Sequence, residues 1–208
     1  ACPTPIAVRI AVALGASETM RCAVIPAASR GEDIKSTCGG NTHVPVGDRP
    51  PMEQFDRFRL VAASATPTVP STVEAHADLL ELRLDGCENP AGAVEAVTSG
   101  LPLIVTNRPR WEGGAYDGDE GDRLGLLEDA VDHEQVVAID VELAALETAP
   151  GAALAERARD AGVWVIASVH DFEATPPRSV CERLLLAASD HGDVGKLAVT
   201  AQTPTDAA

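Results

Sequence analysis

Short apolar runs alternate with helix-length segments from residue 58 to residue 208. The apolar runs predict six β-strands, at residues 58–64, 79–85, 102–108, 136–143, 163–170 and 194–200. Helix-start signals stand between them, at Asn89-Pro90, Asp119, Pro150 and Pro176-Pro177. Strands that alternate with helices predict a parallel sheet with right-handed crossovers.

The polar residues of the predicted strands fall on one face of each strand. Glu81, Arg83 and Asp85 alternate with leucines, and Ser168 and His170 share a face of a later run. A parallel strand that is covered on both faces would be almost wholly apolar. A barrel brings all of these polar faces together at its mouth, whereas a doubly wound sheet unites only the strands beside its switch point. No glycine-rich phosphate loop follows the first run, so the pattern favours an α/β fold of the (β/α)8 or TIM-barrel class, with about six βα units present.

Composition excludes several classes of partner. The formal net charge is -16, from 32 acidic residues against 16 Lys and Arg, and such a surface repels nucleic acid and anionic membranes. Many acids and few lysines are typical of proteins from salt-loving microbes. The five cysteines have no zinc-ligand spacing, and their odd number argues against a disulfide scaffold. These features indicate a reducing, cytoplasmic location and predict no metal site.

The first 51 residues differ from the rest of the chain. They contain three of the five cysteines, show no sustained helix or strand period, and end in a loop-like stretch rich in Gly and Pro. Met52 would be a natural start of translation. We therefore predict that residues 1–51 are a disordered extension or non-native upstream sequence, and that residues 52–208 form the partial barrel domain.

Lys196 and His170 are the main candidates for chemistry. Lys196 lies mid-strand among small and apolar residues, where desolvation would lower the pKa of its amine from about 10.4 and favour attack on a carbonyl. The alternative is a lysine that reaches solvent from an edge strand. His170 ends the preceding run, where an imidazole can take up and return a proton. Taken alone, His170 would be interpreted as a core histidine, but an inward lysine on the next strand favours a catalytic role. Asp140 and Glu142 fit a polar network in the barrel interior.

Arg108 and Glu112 form a second candidate group. Arg108 can hold a carboxylate with two hydrogen bonds, and Glu112 can orient the histidine. Spacing alone leaves open a surface Arg–Glu pair of little energetic value. Glu81 and Arg83 can bind substrate hydroxyls or a carboxylate, or can form an internal ion pair, and the sequence leaves both alternatives open.

Five phrases of the sequence carry a resemblance to a known family. ELRLDG, IVTNRPRWEGG, AIDVEL, ASVHDFEATPP and GDVGKLAVTAQTPTD occur in this order between about residues 56 and 206. Together they resemble type I 3-dehydroquinate dehydratase, and the phrases around His170 and Lys196 are the most specific.

The resemblance implies a Schiff-base lyase of the shikimate pathway, the route to aromatic amino acids. Lys196 would form an imine with the C3 ketone of 3-dehydroquinate, His170 would remove a C2 proton and help water leave from C1, and Glu112 would support His170. The product would be 3-dehydroshikimate, with no metal or organic cofactor, and the assembly would be a homodimer. The substrate-binding residues implied by the resemblance are Ser64, Glu81, Arg83 and Arg108.

The sequence departs from the family near residue 208. It stops where a sixth helix should begin, so the family's last two strands, with a further arginine, a lid and a Ser/Gln pair, have no counterpart. We therefore expect a C-terminally truncated barrel with little or no activity. Two alternatives stay open: another class I Schiff-base lyase, such as an aldolase, and a non-catalytic partial barrel that acts as an oligomerising or regulatory module.

Overall fold

Six consecutive parallel strands form the centre of a curled sheet. The computed structural model describes residues 10–12, 20–26, 59–203 and 206. The strands are Ile10–Val12 (β1), Met20–Pro26 (β2), Arg59–Ser64 (β3), Leu79–Arg83 (β4), Leu103–Thr106 (β5), Val136–Glu142 (β6), Trp164–Asp171 (β7) and Val194–Thr200 (β8). Strands β3 to β8 pair in chain order, each parallel to the next. The predicted partial (β/α)8 barrel is therefore confirmed for these six strands.

The two faces of the central strands bury different side chains. The outer face packs against the helices through residues such as Leu80, Leu82 and Val105, all fully buried. The inner face begins with an apolar floor toward the N-terminal ends of the strands, formed by Val61, Leu79, Ile104, Ala138, Trp164, Ile166 and Val194. On β4 to β8 a polar residue follows two positions after a floor residue, and hence on the same face. This alternation places polar groups near the C-terminal end of the sheet.

The helices of the described region are Ser71–Glu74 (α1), Glu120–Val131 (α2), Leu143–Leu146 (α3), Ala149–Asp160 (α4) and Arg178–His191 (α5). Asp119 caps α2 by accepting a hydrogen bond from the Gly121 N–H at 2.8 Å. Thr148 caps α4, and Gly162 follows that helix with a φ of 79°, which favours glycine. The helices predicted after Asp119, Pro150 and Pro176-Pro177 are confirmed. In the described part of the chain, none of the helices combines the length and apolar character that a membrane crossing needs.

The prediction of a helix after Asn89-Pro90 is wrong. Only one 3₁₀ turn forms there, over Pro90–Gly92, and the Asn89 side chain makes no capping hydrogen bond. The segment that follows is rich in residues that disfavour helix, including Gly92, Val94 and Val97. The connection between β4 and β5 is therefore built mainly of turns.

Strands β1 and β2 flank the central six. β1 lies parallel to β3, and β2 lies antiparallel to β8 with Val24 opposite Lys196. An antiparallel neighbour distinguishes this sheet from the all-parallel sheet of a complete (β/α)8 barrel. The prediction for residues 1–51 otherwise lies outside the described residues.

Candidate active site

The C-terminal ends of β4 to β8 gather a buried cluster of charged and polar side chains. Its members are Glu81, Thr106, Arg108, Glu112, Asp140, Glu142, Ser168, His170 and Lys196. They converge because alternate residues of successive parallel strands point to the same side of a curled sheet. Buried charges are costly unless they are paired, so the contacts between these groups determine what the site can do.

Lys196 extends from β8 into this cluster and is only 7% exposed. Its Nζ donates a hydrogen bond to Asp140 Oδ2 at 2.8 Å. Burial alone would raise the pKa of Asp140, but the positive charges of Arg108 and Lys196 outweigh burial and lower that pKa. Asp140 is therefore ionised at neutral pH. The lysine rests in an ion pair, and not as the isolated desolvated amine that its sequence context suggests.

Arg108 is the centre of the cluster. Its Nη1 donates to Glu142 Oε1 at 2.5 Å and to Ser168 Oγ at 2.8 Å, and its Nη2 donates to Asp140 Oδ1 at 2.7 Å. Ser168 Oγ in turn donates to Asp140 Oδ1 at 2.6 Å. The guanidinium already has protein acceptors, so a substrate carboxylate would share or replace these contacts if Arg108 bound it as the sequence predicts.

A second arginine supports this network from outside the sheet. Arg123 of α2 is fully buried, and its Nη1 lies 2.7 Å from Glu142 Oε2 and donates to the Asn107 carbonyl at 2.7 Å. Arg123 also forms two hydrogen bonds of 2.7 Å with Glu120. Glu142 therefore lies between two arginines, Arg108 inside the sheet and Arg123 outside it. Both arginines therefore hold the Glu142 carboxylate in place within the cluster that contains Lys196.

His170 lies near the end of β7, with its Nδ1 2.8 Å from Glu112 Oε2. Burial, together with the charges of Arg108 and Lys196, lowers the pKa of His170 well below its usual value. Burial also raises the pKa of Glu112 to about 8, against the attraction of Arg108. Once Glu112 is ionised, an uncharged imidazole whose Nδ1–H donates to its carboxylate leaves Nε2 free to accept a proton, so the pair is suited to general-base chemistry.

The loop that carries Glu112 is fixed by two glycines. Gly113 has a φ of 74°, and a Cβ at this position would lie 2.3 Å from the Phe172 ring. A Cβ at Gly114 would lie 2.0 Å from the Arg108 carbonyl oxygen. The loop can therefore lie flat against β7 only with glycine at these positions, and this close approach brings Glu112 within reach of the histidine.

Arg83 is held at the end of β4 by Asp85. Its Nε donates to Asp85 Oδ1 at 2.9 Å and its Nη2 donates to Asp85 Oδ2 at 2.8 Å. Asp85 also accepts hydrogen bonds from the backbone N–H groups of Arg108 at 3.1 Å and Ala115 at 3.0 Å. Burial would raise the pKa of Asp85, but Arg83 outweighs burial and lowers it. One carboxylate thus ties the end of β4 to the loop that bears Glu112.

Glu81 and Ser64 complete the set of residues predicted from the sequence. Glu81 accepts a hydrogen bond from Thr106 Oγ1 at 2.7 Å, while Arg83 contacts Asp85, so Glu81 and Arg83 do not form the direct internal pair considered above. Ser64 Oγ donates to the Thr66 carbonyl at 2.7 Å at the end of β3.

Comparison with known proteins identifies the family. The family model for type I 3-dehydroquinase matches residues 62–208. The chain belongs to the type I 3-dehydroquinase family. A 3-dehydroquinate dehydratase of Haloquadratum walsbyi is 47% identical over 161 residues, which cover 74% of this chain and 66% of that protein. A second, from Haloarcula marismortui, is 45% identical over 155 residues, which cover 73% of this chain and 67% of that protein.

A solved structure supports the same assignment. The structure of 3-dehydroquinate dehydratase from Enterococcus faecalis superimposes with a TM-score of 0.55 at 25% identity, covering 71% of this chain and 65% of that chain. The match thus spans about two thirds of the length of the relatives, and just under two thirds of the Haloquadratum protein.

Sequence reasoning missed three residues that support this type I 3-dehydroquinase site. Arg123 could have been found from the sequence, because it shares the helical face of the apolar residues Leu127 and Val131. A cation on such a buried face needs an acidic partner. Asp85 shares the polar face of β4, but its contacts with the following loop depend on the tertiary fold. Thr106 has no distinguishing signal in a strand of apolar residues.

Proposed function

We propose that the protein converts 3-dehydroquinate to 3-dehydroshikimate by removing water through an imine at Lys196. Family membership supports this assignment. The observation that carries it is the pairing of two chemical groups: a buried lysine on β8, and on the neighbouring strand a histidine hydrogen-bonded to Glu112 at 2.8 Å. An amine alone suits many carbonyl reactions, whereas an amine beside a base suits removal of the proton next to the carbonyl.

The elimination proceeds in four steps. The amine attacks the C3 ketone, and water leaves to give a protonated imine. His170 then removes a C2 proton, and the electron pair of that bond moves toward the nitrogen to give an enamine. The enamine expels the C1 hydroxyl, which takes the proton from His170 and leaves as water. Hydrolysis of the conjugated imine releases the product and restores Lys196.

Four residues are proposed to hold the substrate. Arg83 is the better candidate for the substrate carboxylate, because its side chain is 26% exposed and that of Arg108 is 4% exposed. Arg108 is proposed to bind the substrate from within the network. Glu81 and Ser64 are proposed to form hydrogen bonds with the substrate hydroxyls. Glu112 keeps the imidazole oriented throughout.

The cellular setting follows from charge and composition. We propose a cytoplasmic enzyme of a salt-loving cell, since the net charge of -16 suits a protein that stays hydrated at high salt. The catalytic domain is proposed to comprise residues 52–208, and two copies to form a homodimer. 3-Dehydroquinate is the proposed partner, and the acidic surface argues against nucleic acid and membrane.

Reductive trapping tests the proposal. The chain is incubated with 3-dehydroquinate and cyanoborohydride, and the adduct is located by peptide-level mass. We expect an adduct at Lys196 that is lost in Lys196→Ala. Lys35, the only other lysine of the chain, serves as an internal control for random reaction. The experiment is repeated with the family's last two βα units restored after residue 208. Absence of an adduct at Lys196 in both proteins, or equal modification of both lysines, would overturn the proposed function.

A further inference from the structure

Asp140 contacts the nitrogen on which the proposed reaction depends. We propose that Asp140 is the counter-ion of the imine, and that it stabilises the positive charge on the Lys196 nitrogen in the resting ammonium group, in the first imine and in the conjugated imine. This inference rests on the proposed function. It gives Asp140 a catalytic role in place of the general interior network that its sequence position suggests.

Asp140 is built as a fixed charge. One oxygen, Oδ2, accepts the lysine hydrogen bond at 2.8 Å. The other, Oδ1, accepts from Arg108 Nη2 at 2.7 Å and from Ser168 Oγ at 2.6 Å. The residue is 1% exposed, so water cannot screen it and the carboxylate cannot turn away. A charge held in this way acts on whatever species the nitrogen becomes.

The charge balance of imine formation suits a fixed carboxylate. An ammonium group and a ketone give a protonated imine and water: two protons pass from the nitrogen to the ketone oxygen, and the nitrogen is uncharged while it attacks. One positive charge stands on the nitrogen at both ends of this step. In the elimination, that charge passes to the imidazole when His170 takes the C2 proton, and returns to the nitrogen when the hydroxyl leaves. Asp140 interacts electrostatically with the charge at either position, since His170 and Lys196 each lower its pKa. No stage therefore leaves the carboxylate without a cation nearby.

The other charged groups around the nitrogen make a counter-ion necessary. Arg108, beyond the end of β5, binds the same carboxylate as the lysine. The charges of Arg108, of Lys196 and of Arg83 on β4 all act on His170, which lies on β7 beside β8. Glu142, on β6, binds Arg108 and Arg123. Glu112 binds the histidine and carries a proton at neutral pH, because its pKa is about 8. Without Asp140, a protonated imine would lose the carboxylate that binds the lysine and would still experience the positive charge of Arg108, and like charges disfavour protonation.

The test compares wild type with Asp140→Asn, which keeps the shape and removes the charge. Cyanoborohydride reduces the protonated imine, so the yield of adduct at Lys196 reports that species. Loss of an adjacent opposite charge moves a titration by about one to three pH units. We therefore expect the adduct yield of Asp140→Asn at pH 7 to fall at least about tenfold, with recovery as the pH is lowered. A purely structural role would lower the yield at every pH without moving the profile.

Glu142→Gln is the matched control. It removes a carboxylate from the same strand and network, but one that binds Arg108 and Arg123. We expect a reduced yield with the pH profile unmoved. As a second measurement, the Raman C=N band of the wild-type imine should shift in D2O at pH 7 to 8, because only a protonated imine carries an exchangeable hydrogen. This readout needs no variant, so an unprotonated imine would contradict the proposal even if Asp140→Asn does not fold.

The two proposals fail in different ways. Absence of an adduct at Lys196, both in the wild-type chain and after the family's last two βα units are restored, contradicts the dehydratase function itself. A wild-type chain that yields the adduct, while Asp140→Asn keeps the wild-type profile or the C=N band is insensitive to D2O, contradicts the counter-ion alone.

Discussion

Replacing Glu112 with Gln should make the protein less sensitive to rising pH. The pKa of Glu112 is raised from 4.5 to about 8, chiefly by burial. The folded state therefore holds a proton that the unfolded state releases above pH 4.5. The stability from this group is complete below pH 4.5 and is lost as the pH rises through 8. Glutamine mimics the protonated carboxyl and cannot lose a proton, so the variant escapes this loss.

The magnitude follows from the two pKa values. Each pH unit between them is worth about 1.4 kcal/mol, so the free energy of unfolding of Glu112→Gln should gain up to about 5 kcal/mol on wild type from pH 4.5 to 8. Between pH 6.5 and 8 the expected gain is about 2 kcal/mol. Urea unfolding of both proteins at half-unit pH intervals measures this difference, in which the titration of groups common to both largely cancels.

Glu128→Gln, which removes one exposed carboxylate from α2, controls for the change in net charge. A difference between Glu112→Gln and wild type that is flat across this range, or that shrinks as the pH rises, would refute the reasoning. Either result would mean that Glu112 is already ionised at neutral pH and stabilised by its partners.

Three further predictions concern the same network. Arg123→Met should lower the free energy of unfolding by about 3–5 kcal/mol, because it leaves the buried Glu142 without one of its partners. The double variant with Glu142→Gln should lose less stability than the sum of the two single losses, since that carboxylate is then absent; a double-mutant cycle by urea unfolding tests this. Gly114→Ala should displace the Glu112 loop and so slow deuterium exchange at C2 of 3-dehydroquinate at least about tenfold. The control is Gly125→Ala, whose added Cβ has no neighbour within 4 Å; it should stabilise the protein by about 1 kcal/mol and leave the exchange rate unchanged. The same exchange rate in wild type should rise with pH up to about 8, as Glu112 ionises to support the base; a rate that falls over this range would contradict it.

The strands and the location of the site could be predicted because both follow from alternation. Glu81, Ser168 and Lys196 each stand two residues after an inward apolar residue, and this pattern is visible in the sequence. Once the strands are parallel and consecutive, the same alternation brings these side chains to one end of the sheet.

The partners of each charge could not be predicted, because they depend on distances between strands and helices. The sequence suggests an isolated lysine, and the fold pairs it with a carboxylate two strands away at 2.8 Å. Arg123 reaches Glu142 only because α2 packs beside the strand that carries it. The missed turn at Pro90–Gly92 has a local cause, since a good helix-start signal precedes residues that do not sustain a helix.

The central claim is that Lys196 and His170 act on one bound molecule, and the mass of the trapped adduct tests it most directly. After incubation with 3-dehydroquinate and cyanoborohydride, wild type should carry an adduct at Lys196 that is lighter by one water than simple reductive addition. His170→Ala should carry the adduct with that water retained, because the imine still forms but the C2 proton is not removed. Equal proportions of the dehydrated adduct in both proteins would contradict the account.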